Sequence, residues 1–269
     1  MNKTIFITGS TDGIGKLTAL KLAKEGHHIY LHGRNEAKLN EVISELKEAS
    51  NNENIKGFVA DFSDINAVKE LAGHIINEVP QLDLLINNAG IYKSPVDKTK
   101  NGLDIRMAVN YLAPFVLTET ITSLLEKGNQ PRIINLSSAA QSTVQEGVLT
   151  GDATVNASES YAQSKLALTM WSFNFAKNHP NITTIAVNPG SLLNTKMVKE
   201  AYGQHWSPAE KGAAILYDLA LLERHKNQSG RYFDNDKGVY ANAHQDAYDH
   251  KKITTLLTAT QEILSANGL

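Results

Sequence analysis

Short apolar runs alternate along the chain with longer segments whose apolar residues recur at helical spacing. Residues 3–8 are apolar and rich in β-formers. Residues 13–25 follow with Ile14, Leu17, Leu20 and Leu22 on a helical repeat. Gly26 predicts a helix C-cap there. Residues 28–32 predict a second strand, and Asn35 is placed to cap a helix carrying Leu39, Val42, Ile43 and Leu46 on one face. A strand over residues 55–60, a helix opened by Ser63, and strands over 82–86, 132–136 and 182–187 continue the alternation, with a shorter strand over 230–233. Long helical segments separate the strands from the fourth to the sixth. Repeated βα units of this kind predict a mostly parallel sheet with helices on both faces.

Three stretches break the rhythm: 91–101, 139–159 and 191–207, each following a strand. In an open α/β sheet, loops at the carboxyl ends of strands surround the ligand crevice. These loops carry Val144, Val148, Leu149, Leu192, Leu193, Met197, Tyr202 and Trp206. Such a set either lines an apolar pocket or closes the loops onto the protein body. Glu146, Asp152 and Glu159 disfavour anionic ligands. Residues 245–264 predict one more helix outside the main pattern, serving as a cap, a partner contact or part of a homo-oligomer. No Pro/Ser-rich linker, repeat or low-complexity segment divides the chain, so residues 1–269 are read as one domain.

Composition narrows the function classes. The chain has 269 residues, 42% hydrophobic and 20% charged, which is globular rather than disordered. Twenty-six basic and 28 acidic side chains leave a net charge of −2 with no basic block, which argues against nucleic acid as a partner. The absence of cysteine excludes disulfides, thiolate metal sites and cysteine nucleophiles, and fits a reducing compartment. The nine histidines show no metal-binding spacing, so no metal site is expected. Ile5-Phe6-Ile7 is too short and too early for a signal peptide, and no run approaches bilayer-spanning length. The expectation is a cytoplasmic chain without a membrane span.

Candidate chemistry lies at strand ends. Thr8-Gly9-Ser10-Thr11-Asp12-Gly13-Ile14-Gly15 joins the first strand to the first helix, with glycines in a GxxxGxG spacing. Glycines there permit a tight turn and let a pyrophosphate approach the backbone at a helix N-terminus; a plain strand-to-helix connection is the alternative. Arg34 follows the second strand, where a guanidinium could pair with a 2′-phosphate, or simply be solvated. Asp12 sets a negative charge in the same turn. The balance favours NADP(H) over NAD(H). Tyr161 and Lys165 stand four residues apart, so a helix places an ammonium beside a phenol. A cation so placed favours the phenolate and suits proton exchange, although surface packing gives the same spacing.

Together these residues resemble the short-chain dehydrogenase/reductase family over almost the whole chain, and in particular its retinol dehydrogenase and WW-domain oxidoreductase branch. The resemblance rests on seven motifs in order. They are the Thr8-to-Gly15 turn, Asp61, Asn87-Asn88-Ala89-Gly90, Asn110, Ser137-Ser138, Tyr161-xxx-Lys165 and Asn188-Pro189-Gly190. It implies a single doubly wound, Rossmann-type domain of about seven strands. It also implies an NADP(H)-dependent oxidoreductase acting on a small-molecule carbonyl or alcohol, small and neutral or lipophilic. Tyr161 would exchange the proton, Lys165 would lower its pKa and bind the nicotinamide ribose, Ser138 would hold the substrate oxygen, and Asn110 would support a water-linked path to Lys165. Gly9 to Gly15, Arg34, Asp61, Phe62, Asn88, Ala89, Gly90, Pro189 and Gly190 would bind the cofactor. Two departures stand out: an insertion of about ten residues before Tyr161, and a threonine, Thr195, one place later than usual after Gly190. A second reading keeps the fold as a non-catalytic NADP(H) sensor.

Overall fold

The computed structural model describes residues 2–268 and the side chains of all of these but Tyr202. Its eight strands are β1 (Thr4–Ile7), β2 (His28–Gly33), β3 (Ile55–Val59), β4 (Leu84–Asn87), β5 (Arg132–Leu136), β6 (Thr183–Asn188), β7 (Arg231–Asp234) and β8 (Val239–Ala241). They form one sheet in the order β3-β2-β1-β4-β5-β6-β7-β8. All pairs are parallel except β7 with β8, which form an antiparallel hairpin. The helices are α1 (Gly13–Ala23), α2 (Glu36–Ser50), α3 (Ile65–Glu78), α4 (Ile105–Glu126), α5 (Glu146–Thr150), α6 (Ala157–Asn178), α7 (Lys196–Tyr202), α8 (Ala209–Leu221) and α9 (His250–Ala266). This is the doubly wound α/β domain expected, with one strand more than predicted. β8 escapes sequence reading because three residues cannot show an alternation.

Strand side chains alternate between two apolar layers. Phe6, Leu85 and Ile133 join the layer that holds buried residues of α3, α4, α6 and α9. Ile5, Ile7, Leu84, Ile86 and Ile134 join the layer that holds those of α1, α2 and α8. The order of strands reverses between β1 and β4, so their carboxyl ends open a crevice at the switch point.

Several local expectations shift. Asn35 does cap α2, its Oδ1 accepting from Lys38 N at 2.9 Å. The cap of α3, however, is Asp64 and not Ser63, with its carboxylate accepting from Asn66 N at 3.0 Å. By length and composition α4 is apolar enough to cross a membrane, which the run-length reading missed; 83% of its most apolar window is buried inside the fold. Residues Ala108–Leu112 within it are π-helical. The predicted C-terminal helix begins later than expected, at His250, after a single 3-10 turn over Gln245–Tyr248. Its Leu256, Ala259, Ile263 and Leu264 share the core with Val148 and Leu149 of α5, and Tyr111 Oη lies 2.7 Å from Thr260 Oγ1. Val148 and Leu149 therefore close the loop onto the body. Leu193 is buried as well, Val144, Leu192 and Met197 are half-buried, and Trp206 is 75% exposed.

A buried histidine braces the end of β2 against the turn after β1. His32 Nδ1 accepts from Gly9 N at 3.0 Å, and its Nε2 lies 3.0 Å from Ala60 O. A carbonyl only accepts, so Nε2 carries the hydrogen and the ring is neutral. The ring stacks on Phe62 with centroids 4.2 Å apart. Burial lowers its pKa to about 4, outweighing the Ala60 carbonyl and the Asp61 charge, which raise it. An unfolded histidine titrates near 6.5, so between those values the unfolded chain binds more protons. Stability from this group is thus complete above about pH 6.5 and falls by about 3 kcal/mol as the pH drops to 4. Replacing His32 with Gln, which does not titrate, is expected to flatten the pH dependence of the unfolding free energy by that amount, measured by urea denaturation from pH 7 to 4. Parallel curves for the two proteins would remove His32 as the source.

Candidate active site

The turn between β1 and α1 is fixed by close backbone approach. Gly9 and Gly13 adopt φ of +61° and +54°, the left-handed region that favours glycine. A Cβ on Gly9 would lie 2.7 Å from Ala89 Cα, and one on Gly15 would lie 2.4 Å from Asn88 Nδ2. Thr8 Oγ1 accepts from Asn88 N and Ala89 N, both at 3.0 Å. In return Asn88 Nδ2 donates to Thr8 O and Gly9 O at 2.8 Å. The turn, α1 and the Asn88-Ala89-Gly90 segment are thereby lashed into one wall of the crevice.

Ser10 departs from its expected part. It is buried, its N–H donates to His32 O at 3.0 Å and its hydroxyl to Ile7 O at 2.9 Å, so it shapes the turn from behind. Thr11, Gly13 and Ile14 are half-buried at the mouth. Asp12 caps α1, accepting from Gly13 N at 2.7 Å, and pairs with Lys38 at 3.4 Å. Partial burial raises its pKa, but the Gly13 N–H and the Lys38 ammonium outweigh that and hold the carboxyl below its ordinary value. Arg34 stands exposed at the end of β2 with no ion pair among the described residues. Asp61 is exposed and accepts from Ser63 N at 2.9 Å, while Phe62 is buried against His32.

The other wall comes from β5, α4 and α6. Asn156 caps α6 by accepting from Glu159 N at 3.0 Å, and the next turns carry Tyr161 and Lys165. Lys165 is 3% exposed, and its Nζ donates to Leu136 O at 2.7 Å. That ammonium lies 5.6 Å from the centroid of the Tyr161 ring. Desolvation lowers the Lys165 pKa to about 7. Asn110 sits in the π-helical stretch of α4. Its Oδ1 accepts from Ile91 N at 2.8 Å, and its Nδ2 donates to Ile91 O and Ser164 Oγ at 3.0 Å each. Both amide hydrogens are engaged, which makes Asn110 a clamp on the segment after Gly90. A Cβ on Gly90 would lie 3.2 Å from Asn110 Oδ1 and 3.4 Å from Lys165 Nζ, so the two groups converge behind it.

The two serines after β5 separate cleanly. Ser137 is buried, with its Oγ 2.7 Å from Thr169 Oγ1 and donating to Lys165 O at 3.2 Å. Ser138 is half-buried; its Oγ accepts from Ala140 N at 3.1 Å. The Ser138 carbonyl accepts from Tyr232 Oη and Gln141 Nε2, both at 2.9 Å. Pro189 and Gly190 are half-buried at the end of β6, where Asn235 Nδ2 donates to Pro189 O at 2.8 Å and Gly190 N donates to Asn188 Oδ1 at 3.2 Å. Thr195 caps α7 and sets its methyl 3.6 Å from where a Cβ on Gly13 would be. Glu159 is engaged by Ser142 at 2.8 Å and Gln163 at 3.0 Å, so only Glu146 and Asp152 stay exposed. Tyr92, whose ring centroid is 5.0 Å from that of Tyr161, and Tyr232 carry no local sequence signal. Among the described residues no cluster of three or more His, Asp or Glu could hold a metal ion.

Known proteins resemble this chain over most of its length. Residues 3–206 match the short-chain dehydrogenase family model. Bovine retinol dehydrogenase 12 is 32% identical over 97% of this chain and 86% of its own length. Human polyprenol dehydrogenase is 30% identical over 75% of this chain and 64% of its own. A Shigella flexneri protein, solved as a short-chain dehydrogenase complexed with NADP, is 25% identical with a TM-score of 0.70, covering 88% of this chain and 98% of that one. The chain is an oxidoreductase of the short-chain dehydrogenase family, on the branch that holds the retinol dehydrogenases.

Proposed function

We propose that the protein is an NADP(H)-dependent oxidoreductase that interconverts a carbonyl and an alcohol, with Tyr161 exchanging the proton. The observation that carries this reading is the buried Lys165 ammonium one helical turn from Tyr161. An ammonium has three donors. One is engaged by Leu136 O, and no second hydrogen-bond acceptor is present among the described residues. Nζ lies 3.4 Å from where a Cβ on Gly90 would be, and ribose hydroxyls entering there would complete its donors.

The remaining wall residues fit the same cofactor. The N-terminus of α1 and the close-packed Gly9 to Gly15 turn suit a pyrophosphate. Arg34, exposed at the end of β2 without an ion pair among the described residues, suits a 2′-phosphate. Nicotinamide chemistry supplies or accepts the hydride. Lys165 favours the deprotonated state of the Tyr161 phenol, and its effect is strong because the site around it is poor in solvent. Ser138 can donate its O–H to a substrate oxygen while its Oγ accepts from Ala140 N. The half-buried Val144, Leu192 and Met197 in the flanking loops, together with relatives named for retinol and polyprenol, favour a lipophilic or small neutral substrate.

Tyr161→Phe is expected to bind NADPH as the parent does and to lose about a thousandfold or more in kcat on an aldehyde substrate. Fluorescence titration and NADPH oxidation measure the two quantities separately; retention of most turnover would remove Tyr161 as the proton donor. Arg34→Ala is expected to raise the Kd of NADPH by about ten- to a hundredfold and that of NADH by less than about threefold. Equal weakening of both cofactors would remove the 2′-phosphate assignment.

A further inference from the structure

Arg106 and Asn110 stand four residues apart at the start of α4 and hold consecutive residues of the segment that follows Gly90. Asn110 grips Ile91, and Arg106 Nε donates to Tyr92 O at 2.9 Å. Arg106 is buried, with Asp97 at 3.1 Å and Asp104 at 3.5 Å on its guanidinium. Asp104 is buried too and accepts from Ser160 Oγ at 2.6 Å, one residue before Tyr161. One charged cluster therefore ties the Tyr92 segment to the helix that carries Tyr161.

The Tyr92 side chain completes the bridge. Its ring centroid lies 5.0 Å from that of Tyr161 with the planes at 55°. Its hydroxyl lies 2.5 Å from Ser158 Oγ, on the first turn of α6. The ring is thus held at both ends, by Arg106 through the backbone and by Ser158 through the hydroxyl. We propose that Tyr92 is the aromatic wall of the substrate crevice beside Tyr161 and limits the width of the group attached to the reacting carbonyl carbon, with Arg106 and Ser158 as positioning residues. A wall held this way admits an unbranched or planar substituent and rejects one branched at the adjacent carbon. The inference rests on the carbonyl-reducing reading of the site given above.

The test compares octanal with its α,α-dimethyl derivative, which differ only in branching beside the carbonyl, using NADPH oxidation and a separate fluorescence titration of NADPH. The parent is expected to prefer octanal. Tyr92→Ala should shift the ratio of kcat/KM values toward the branched aldehyde by about tenfold or more, chiefly through KM, and leave the Kd of NADPH within about twofold. Tyr92→Phe and Ser158→Ala remove the same hydrogen bond, so each should shift the ratio about two- to fivefold and the double variant no further than either. Arg106→Lys, which keeps the charge between Asp97 and Asp104, should move the ratio in the same direction. An unchanged ratio in Tyr92→Ala with NADPH binding intact would overturn the wall, as would additive effects of Tyr92→Phe and Ser158→Ala. A parent protein that binds NADPH and reduces neither aldehyde would instead overturn the carbonyl-reducing reading itself.

Discussion

The crevice depends on one ammonium buried where the end of β5 meets α6. Lys165 has a backbone carbonyl as its hydrogen-bond acceptor and no carboxylate partner among the described residues, and desolvation brings its pKa down to about 7. A lysine in this state keeps its charge only as far as its surroundings stabilise it. The phenol of Tyr161 and the hydroxyls of a bound ribose are groups that can do so. Lys165 Nζ lies 5.6 Å from the Tyr161 ring centroid, so a group that enters the crevice beside them changes the surroundings of both. A surface lysine at the same spacing would keep its proton regardless and would exert little field through water.

Around that ammonium, polar side chains divide into those satisfied within the protein and those left to face the crevice. Ser10, Asn88, Asn110, Ser137 and Glu159 are all engaged by backbone or neighbouring side chains. They set the spacing of the walls. Arg34 and the Lys165 donors keep unengaged capacity among the described residues, and Ser138 keeps its O–H. A buried donor or acceptor without a partner is costly, and these five residues meet that requirement within the protein, whereas Asn87 Oδ1 beside them is buried without a partner among the described residues.

That division explains what was legible in the sequence. Strands β1 to β7 were readable because buried parallel strands are continuous apolar runs, and most of the motifs were readable because they lie at the ends of those strands, Asn110 and the Tyr161/Lys165 pair being carried on helices instead. Ser138 could be told from Ser137 by resemblance, and the reason is visible only in three dimensions, where Ser137 turns inward to Thr169. Ser10 reads as a cofactor contact because it lies within the glycine-rich turn; the direction of its hydroxyl is set by His32, twenty-two residues away in the chain. Asp64 in place of Ser63 as the cap of α3 is a one-residue choice between two competent acceptors. Tyr92, Tyr232 and Lys38 had no periodicity or motif to mark them, since their parts arise from contacts between distant segments.

The insertion before Tyr161 shows how such contacts extend the site beyond its motifs. α5 lies within the insertion, and its Val148 and Leu149 are packed in the core with α9. Thr143 donates to Asp246 at 2.7 Å, and Lys252 holds the other oxygen of the same carboxylate at 2.7 Å. Gln141 accepts from His244 N at 3.0 Å through Oε1 and donates to Ser138 O through Nε2. The C-terminal segment thus reaches Ser138 through a single side chain, Gln141, and anchors the inserted loop through Thr143. A loop tethered at Gln141 and Thr143 and packed at Val148 and Leu149 is held in one position on the protein body. The inserted loop and the C-terminal segment are therefore joined to each other and, through Gln141, to Ser138, the serine proposed to hold the substrate oxygen.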